Sequence, residues 1–332
     1  MDQAETWREL LGRCIENPQE RQRLADALGI NPMTLNRWVT GESDPRQQNL
    51  RRLLQALPQY RERFIALIEQ EFKGFSTMMQ GEAGQLESAV IPSEFYFRAL
   101  HTWAITPKSL LFLLLCDLIL QQALEQLDPH RHGMAVTAAC CMPPCTSRKK
   151  VLSLHEKVGR GTPPWTRELE YQAIFLGAES LAGHVITSGH LEVNQNLQDK
   201  NSLSAGYRGP WEVSAAAVPI MSMGKVAGSL LISSTRPDYF LPTRCKLIEQ
   251  YAELIALAFA PEDFYELEQI ELAPLPSYEV QQPYLAGFRK RVNELMLQDA
   301  SRQHLMTIFE AEQIVWQQIE AELLKRSLVE GR

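Results

Sequence analysis

The chain has no Gly-rich phosphate loop, no G-x-S-x-G, no H-E-x-x-H and no closely spaced set of carboxylates, which argues against an enzyme. GRGTPPW at Gly159 to Trp165 has glycines but does not match a dinucleotide fingerprint. The opening MDQAETWREL is acidic and amphipathic, so no basic-then-apolar secretory signal is expected. The strongest apolar run, Leu110 to Leu120, is about 11 residues and contains Asp117, too short to cross a bilayer, so no membrane partner is expected. Six cysteines without a signal point to reduced thiols and a cytoplasmic location. Overall positive charge is in deficit, 33 Lys and Arg against 40 Asp and Glu, a net charge of −7.

What is present bounds the architecture. With 332 residues and 45% apolar content, the chain has room for two or three domains. Arg21 to Pro45, RQRLADALGINPMTLNRWVTGESDP, reads as two helices punctuated at their ends. Leu24, Ala25, Ala27 and Leu28 share one face, Gly29 suits a left-handed C-terminus, and Ile30 is a buried linker. Asn31 caps a second helix with Pro32 at its first position, and Gly41 closes it. Leu35 and Trp38 can face the core, leaving Met33, Thr34, Asn36 and Arg37 for solvent or a groove. A further helix is expected over Gln47 to Leu57.

The order R-L-A-x-x-L-G-I, N-P-x-T-L-x-R-W, G-E-x-x-P resembles the Cro/cI-type (XRE-like) helix-turn-helix family over roughly residues 5 to 70. The resemblance implies that the second helix enters the major groove of double-stranded DNA. Thr34, Asn36 and Arg37 would then contact bases or phosphates, with Arg46, Arg51 and Arg52 as phosphate partners. Arg21 to Arg63 holds eight arginines against four acidic residues, net +4, so DNA attraction would be local to this end. Such a module alone binds weakly, so a homodimer on a palindromic operator is expected. A helical domain that keeps the fold and binds protein instead is the alternative.

Lys73 to Leu86 reads as a linker. Helices are expected over Pro92 to Trp103 and over Pro107 to Leu127, the latter capped by Thr106 with a face of Leu110, Leu111, Leu114, Leu118 and Leu124. From Gly133 the pattern turns to strands: MAVTAACCM, then HLEVNQNL, then the hairpin AAAVPIMSMGKVAGSLLISST turning at Met221 to Lys225. Helical pieces are expected over Arg167 to Thr187 and Thr243 to Phe259, and a loop over Asp199 to Trp211.

FLGAESLAGHVITSGHLEVNQNLQD, with a helix ending at Gly183 and a turn at Ser188-Gly189, and the hairpin phrase together resemble a GAF domain over roughly residues 107 to 260. The resemblance implies an antiparallel sheet with helices and a ligand pocket under loops, fused to the DNA-binding domain as a one-component transcriptional regulator. By their place on the loop face, Trp165, Phe175, Glu179, Ser180, His184, Asp199, Tyr207, Trp211 and Ser214 are the candidate lining. Aromatic walls suit a planar small-molecule effector such as a nucleotide, a tetrapyrrole or an aromatic metabolite. The cyclic-nucleotide pattern N-K-x-n-F-x-x-x-D-E is not reproduced by Asn194, Lys200, Asn201 and Phe240, nor is a bilin Cys-His pair clear. A domain that only dimerises is the alternative.

CCMPPC, Cys140 to Cys145, places Cys140 and Cys141 on opposite strand faces. Pro143 and Pro144 can fold Cys145 back, and Arg148, Lys149 and Lys150 can supply a positive field, so Cys140, Cys141 and Cys145 are redox candidates beside the reading as buried structural thiols. A zinc site would need His130, His132 or His155, and no metal is assigned. A proline-rich linker, Pro274 to Pro283, precedes helices over Tyr284 to Leu328 with a soft patch at Gln298 to Gln303, whose apolar faces meet either the sheet or a second subunit.

The expected fold class is therefore multidomain α and α+β. A helix-turn-helix DNA-binding domain spans 1–73, a linker and connecting helix 74–106, a GAF-like sensor 107–260, and a C-terminal linker and helices 261–332. The expected function is a homodimeric bacterial-type regulator sensing a small molecule or redox state. A dimeric scaffold without DNA, or a cysteine switch with an empty pocket, is the competing class.

Overall fold

A computed structural model describes residues 6–57, 60–72, 90–144, 149–169, 174–197, 209, 211–301 and 306–330. The chain forms two compact units, Met1–Ser88 and Ala89–Arg332.

The first unit is helical: α1 (Trp7–Cys14), α2 (Pro18–Leu28), α3 (Pro32–Thr40), α4 (Gln47–Ala56) and α5 (Arg61–Glu71). Its helices begin and end where short-range chemistry dictates. Thr6 and Glu9 form a reciprocal capping box on α1. Asn17 and Asn31 accept the N–H of Gln19 and Met33, each with proline at the first helical position. Gly29 and Gly41 end α2 and α3 at φ of 67° and 76°, a left-handed region that costs other residues more. Trp7, Leu24, Leu28, Leu35, Trp38 and Phe64 fill the core.

The second unit is built on a six-stranded antiparallel sheet in the order β3-β2-β1-β6-β5-β4. The strands are β1 (Met134–Cys141), β2 (Leu154–Gly161), β3 (Phe175–Leu176), β4 (Glu192–Asn194), β5 (Ser214–Ser222) and β6 (Lys225–Ser234). Alternation sorts β1: Val136, Ala138 and Cys140 join the core under α7 (Lys108–Leu127) and α9 (Pro242–Ala256), while Ala139 and Cys141 pack with α8 (Leu181–Ser188) on the opposite face. α6 (Ser93–Ile105) lies beside α7. The C-terminal helices α10 (Tyr278–Ala286), α11 (Phe288–Ser301) and α12 (Ile308–Glu330) pack on Met142 and Phe175. Gln281 fastens them, accepting the Phe175 N–H at 2.9 Å and donating to the Phe175 carbonyl at 2.9 Å, as a neighbouring strand would.

Several sequence expectations change. β2 and β3 were not expected, because a bulge breaks the alternation of LHEKVGRG and β3 has two residues. The helix expected over 167–187 is confined to Leu181–Ser188, since Ser180 is its N-cap and β3 precedes it. Gly183 does not end that helix. A Cβ there would lie 2.1 Å from the Gly177 carbonyl, so the residue permits a close approach, and Gly189, at φ 72°, is the terminator. Pro107, not Thr106, is the N-cap position of α7, with no side-chain cap.

The expected leucine face of α7 is only partly the one that meets the sheet. Leu115, Cys116, Ile119, Leu120 and Ala123 are buried, whereas Leu110 and Leu114 are exposed. Its 20 residues are long and apolar enough to cross a membrane by length and composition. One face of it nevertheless packs on the sheet, and Asp117 pairs with Arg160 of β2, which is how a core helix is used. The strand expected over 190–197 shortens to Glu192–Asn194, and part of the expected proline-rich linker is helical, with Pro283 inside α10. The linker at 73–86 lies outside the described residues.

Gly228 sits where β1 and β6 touch most closely, and a Cβ would meet the Ala139 carbonyl oxygen at 2.1 Å. Gly228→Ala should therefore cost about 3 kcal/mol of unfolding free energy in urea titration. A loss below about 0.5 kcal/mol would mean the contact relaxes freely.

Candidate functional site

Two sites take shape, one in each unit. In the first, burial of Leu35 and Trp38 turns the other side of α3 outward. Met33 is 62% exposed, Arg37 is exposed, and Thr34 and Asn36 are half-buried. Arg46 is exposed at the start of α4. Arg52 donates to the Leu28 carbonyl at 3.0 Å, tying α4 to the end of α2, and the side chain of Arg51 is outside the described residues. Arg8, which sequence reasoning passed over, donates to the Trp38 carbonyl and pairs with Asp44 at 2.6 Å and Glu71 at 2.8 Å. It thereby anchors the C-terminal end of α3 to α1 and α5.

In the second unit a cavity of about 110 Å³ opens on the β1 face that carries Ala135 and Thr137. Trp165 and Trp211 stand edge to face at 6.1 Å on its wall, and Ser180 also lines it. The strongest chemistry comes from residues the sequence reading missed. Glu156 of β2, Glu212 just before β5, Thr137 and Ser233 all line the cavity.

Glu156 reaches it through the bulge. Val158 lies opposite Ala138 and Glu156 opposite Ala139, so Lys157 is the extra residue and Glu156 is turned to the Ala139 face. Desolvation, then the nearby Glu212 charge, push the Glu156 carboxyl up to about 8 against a hydrogen bond from Thr137. Glu212 accepts the Ser233 hydroxyl at 2.7 Å and the Gly209 N–H at 3.1 Å.

The remaining expected lining residues lie elsewhere. Phe175 faces the C-terminal helices, 5.8 Å from Trp316. Glu179 accepts the N–H groups of Gly177 and Leu275 at 3.1 and 2.9 Å, holding the chain after the sheet. His184 is half-exposed, 3.9 Å from Glu192, and Ser214 donates to the Arg236 carbonyl at 2.7 Å. Asp199 and Tyr207 lie outside the described residues, as does Cys145. Cys140 and Cys141 are buried on opposite faces of β1, and burial pushes both thiols up, Cys140 to about 11. That is the reverse of an activated thiol. Among the described residues no group of three His, Cys, Asp or Glu is placed to hold a metal ion.

The Glu156 shift has a defined sign. The native carboxyl stays protonated after the unfolded one ionises, so its stabilisation is full below pH 4.5 and is lost as pH rises to about 8. Burial sets most of this shift, Glu212 adds to it and Thr137 opposes it. Glu320, raised to about 7, acts in the same sense, so the variant must be compared with the parent. In Glu156→Gln the melting temperature should fall less between pH 5 and about 8 than in the parent chain. Parallel curves would show that Glu156 ionises normally.

Two family models match the chain, one within each unit. Residues 19–63 match the Helix-turn-helix family model, and residues 113–259 match the GAF domain model. Similar solved structures include the GAF domain of an Acinetobacter phosphoenolpyruvate-protein phosphotransferase, at 13% identity, covering 50% of this chain and 90% of that one, with a TM-score of 0.35. A type II free methionine-R-sulfoxide reductase from Thermoplasma acidophilum matches at 14% identity over 46% and 98% of the two chains, TM-score 0.33. The GAF-B domain of DevS from Mycobacterium smegmatis matches at 18% over 46% and 92%, TM-score 0.30. No curated protein matches the chain. The protein thus joins an XRE-type helix-turn-helix domain at residues 19–63 to a GAF domain at residues 113–259.

Proposed function

We propose that the protein is a sequence-specific, homodimeric DNA-binding regulator, working in the cytoplasm, whose GAF domain binds a small-molecule effector without transforming it. The observation that carries the reading is the outward face of α3, where Met33, Thr34, Asn36 and Arg37 stand clear of the core held by Leu35 and Trp38. Arginine can grip a guanine edge with two hydrogen bonds and asparagine an adenine edge. Arg46 and Arg51 would bind phosphates, which fix register without reading sequence. Arg52, already bonded to the Leu28 carbonyl, would add its remaining donors.

Effector binding would change how far apart two recognition helices are held. Palindromic half-sites recur about 34 Å apart per helical turn, so a small change in spacing suffices to alter affinity. The dimer surface is the outer side of α6 and α7. Phe97 is 76% exposed, and Leu100, Trp103, Leu110, Leu113 and Leu114 are each about half exposed. An apolar surface of this kind marks an interaction site, and a second copy is the occupant a two-fold operator requires.

Arg37→Ala should abolish enrichment of one sequence from genomic fragments while leaving the melting temperature unchanged, because the side chain is exposed and outside the core. Arg46→Ala should weaken binding to all sequences alike and reduce the slope of log affinity against log salt by about 1. If the parent chain enriches no sequence, the reading as a dimeric scaffold replaces this one. In sedimentation equilibrium, the pair Phe97→Glu and Leu114→Glu should turn a dimer into a folded monomer. A dimer that survives both changes places the interface elsewhere.

A further inference from the structure

We infer that the cavity of the GAF domain takes a small organic amine in its ammonium form, held by Glu156 and Glu212 against the indoles of Trp165 and Trp211. The inference rests on the reading of this cavity as the effector site and names the class of effector. Size comes first. An apolar cavity of about 150 Å³ is known to take benzene, so one of about 110 Å³ suits a ligand of about six non-hydrogen atoms or fewer. A nucleotide or a tetrapyrrole is several times larger.

Charge decides the rest. Two carboxylates face the cavity, and none of the described residues lining it is basic. An anion entering there would meet the Glu212 charge and find Glu156 a neutral acid below about pH 8, whereas a cation would offset the Glu212 repulsion and let Glu156 ionise, its proton passing to solvent. The carboxylates are positioned parts. A strand bulge turns Glu156 inward, Thr137 bonds it, and the Ser233 hydroxyl and the Gly209 N–H hold Glu212. The Trp165 and Trp211 rings line the cavity, an indole face attracts organic cations, and Leu169, Leu176 and Leu231 give an alkyl tail apolar surroundings. An ammonium that donates to carboxylates and carries a short alkyl chain satisfies all of these together.

The test uses the full-length protein and three probes of one shape and different charge: n-butylammonium chloride, n-butanol and sodium butyrate, at matched ionic strength. Calorimetry and thermal denaturation should show saturable binding and a raised melting temperature for butylammonium alone. Glu156→Gln should weaken its binding by about tenfold. Trp211→Ala, at a ring 42% exposed and so tolerant of truncation, should weaken it as well. Butanol or butyrate binding as tightly, no butylammonium binding, or full affinity retained in both variants would each overturn the inference. DNA retention measured alongside separates the two levels. Butylammonium that binds without changing DNA affinity leaves the amine site standing and removes its role as sensor. A butyrate effect on DNA affinity leaves the regulator standing and removes the amine site.

Discussion

One extra residue in β2 organises most of the second unit. Without the bulge at Lys157, strict alternation would carry Gly159, Lys157 and His155 to the cavity face and bury Glu156 under the helices. With it, Lys157 and Val158 both lie on the helix side, where the Lys157 ammonium sits 5.5 Å over the Phe112 ring of α7. Glu156 turns to the cavity and His155 to the C-terminal helices. A single register shift thus supplies the cavity's carboxylate, a cation over a core aromatic, and the docking surface for α12. Bulges next to binding sites re-aim side chains in this way.

The first unit depends on contacts of the opposite kind, short in sequence and repeated. Asn17 and Asn31 caps, prolines at the first helical positions and left-handed glycines set where α2 and α3 begin and end. The long-range element is Arg8, whose guanidinium joins the Trp38 carbonyl to Asp44 and Glu71. Its partial burial and two carboxylate partners distinguish it from an ordinary surface ion pair. The C-terminal end of α3 is thereby tied to both α1 and α5.

What could be read from the sequence follows the same division. The α2–α3 pair was legible to within a few residues because its determinants are local. The β5–β6 hairpin was legible too, because its two runs of apolar and small residues and the Met223–Gly224 turn between them are local, both turn residues having positive φ. β2 was not, since an extra residue erases period two, and β3 is too short to show a period at all. Glu156 was lost with its strand, and Glu212 was overlooked beside Trp211, which was recognised. The outer face of α7 misled for another reason. A helix apolar nearly all round does not say which side meets the sheet: the face of Leu110, Leu111, Leu114, Leu118 and Leu124 reads as wide enough for both a sheet and a partner subunit, and Leu115 and Ile119 are among the residues buried.

The C-terminal helices show how far the sheet extends its control. His155 is buried with neither ring nitrogen hydrogen-bonded, its ring 4.1 Å from Trp316 and 4.8 Å from Phe175. Burial, with the Lys157 charge adding to it, lowers its titration to about 3, so the ring serves as a neutral aromatic plate. The stabilisation this gives is present above pH 6.5 and lost as pH falls toward about 3, the reverse of the Glu156 and Glu320 dependence. Around it, the Ser153 hydroxyl donates to Glu320 at 2.6 Å, and the Phe288 and Trp316 rings stack at 3.9 Å. Two polar clasps, Gln281 on β3 and Glu320 on the segment before β2, therefore flank one dry aromatic contact. An imidazole buried with no partner costs the docked state, and the more so in acid, where protonation favours opening. The helices stay docked because the aromatic packing and both clasps offset that cost, so α10 to α12 belong structurally to the second unit and are not a tail attached to it.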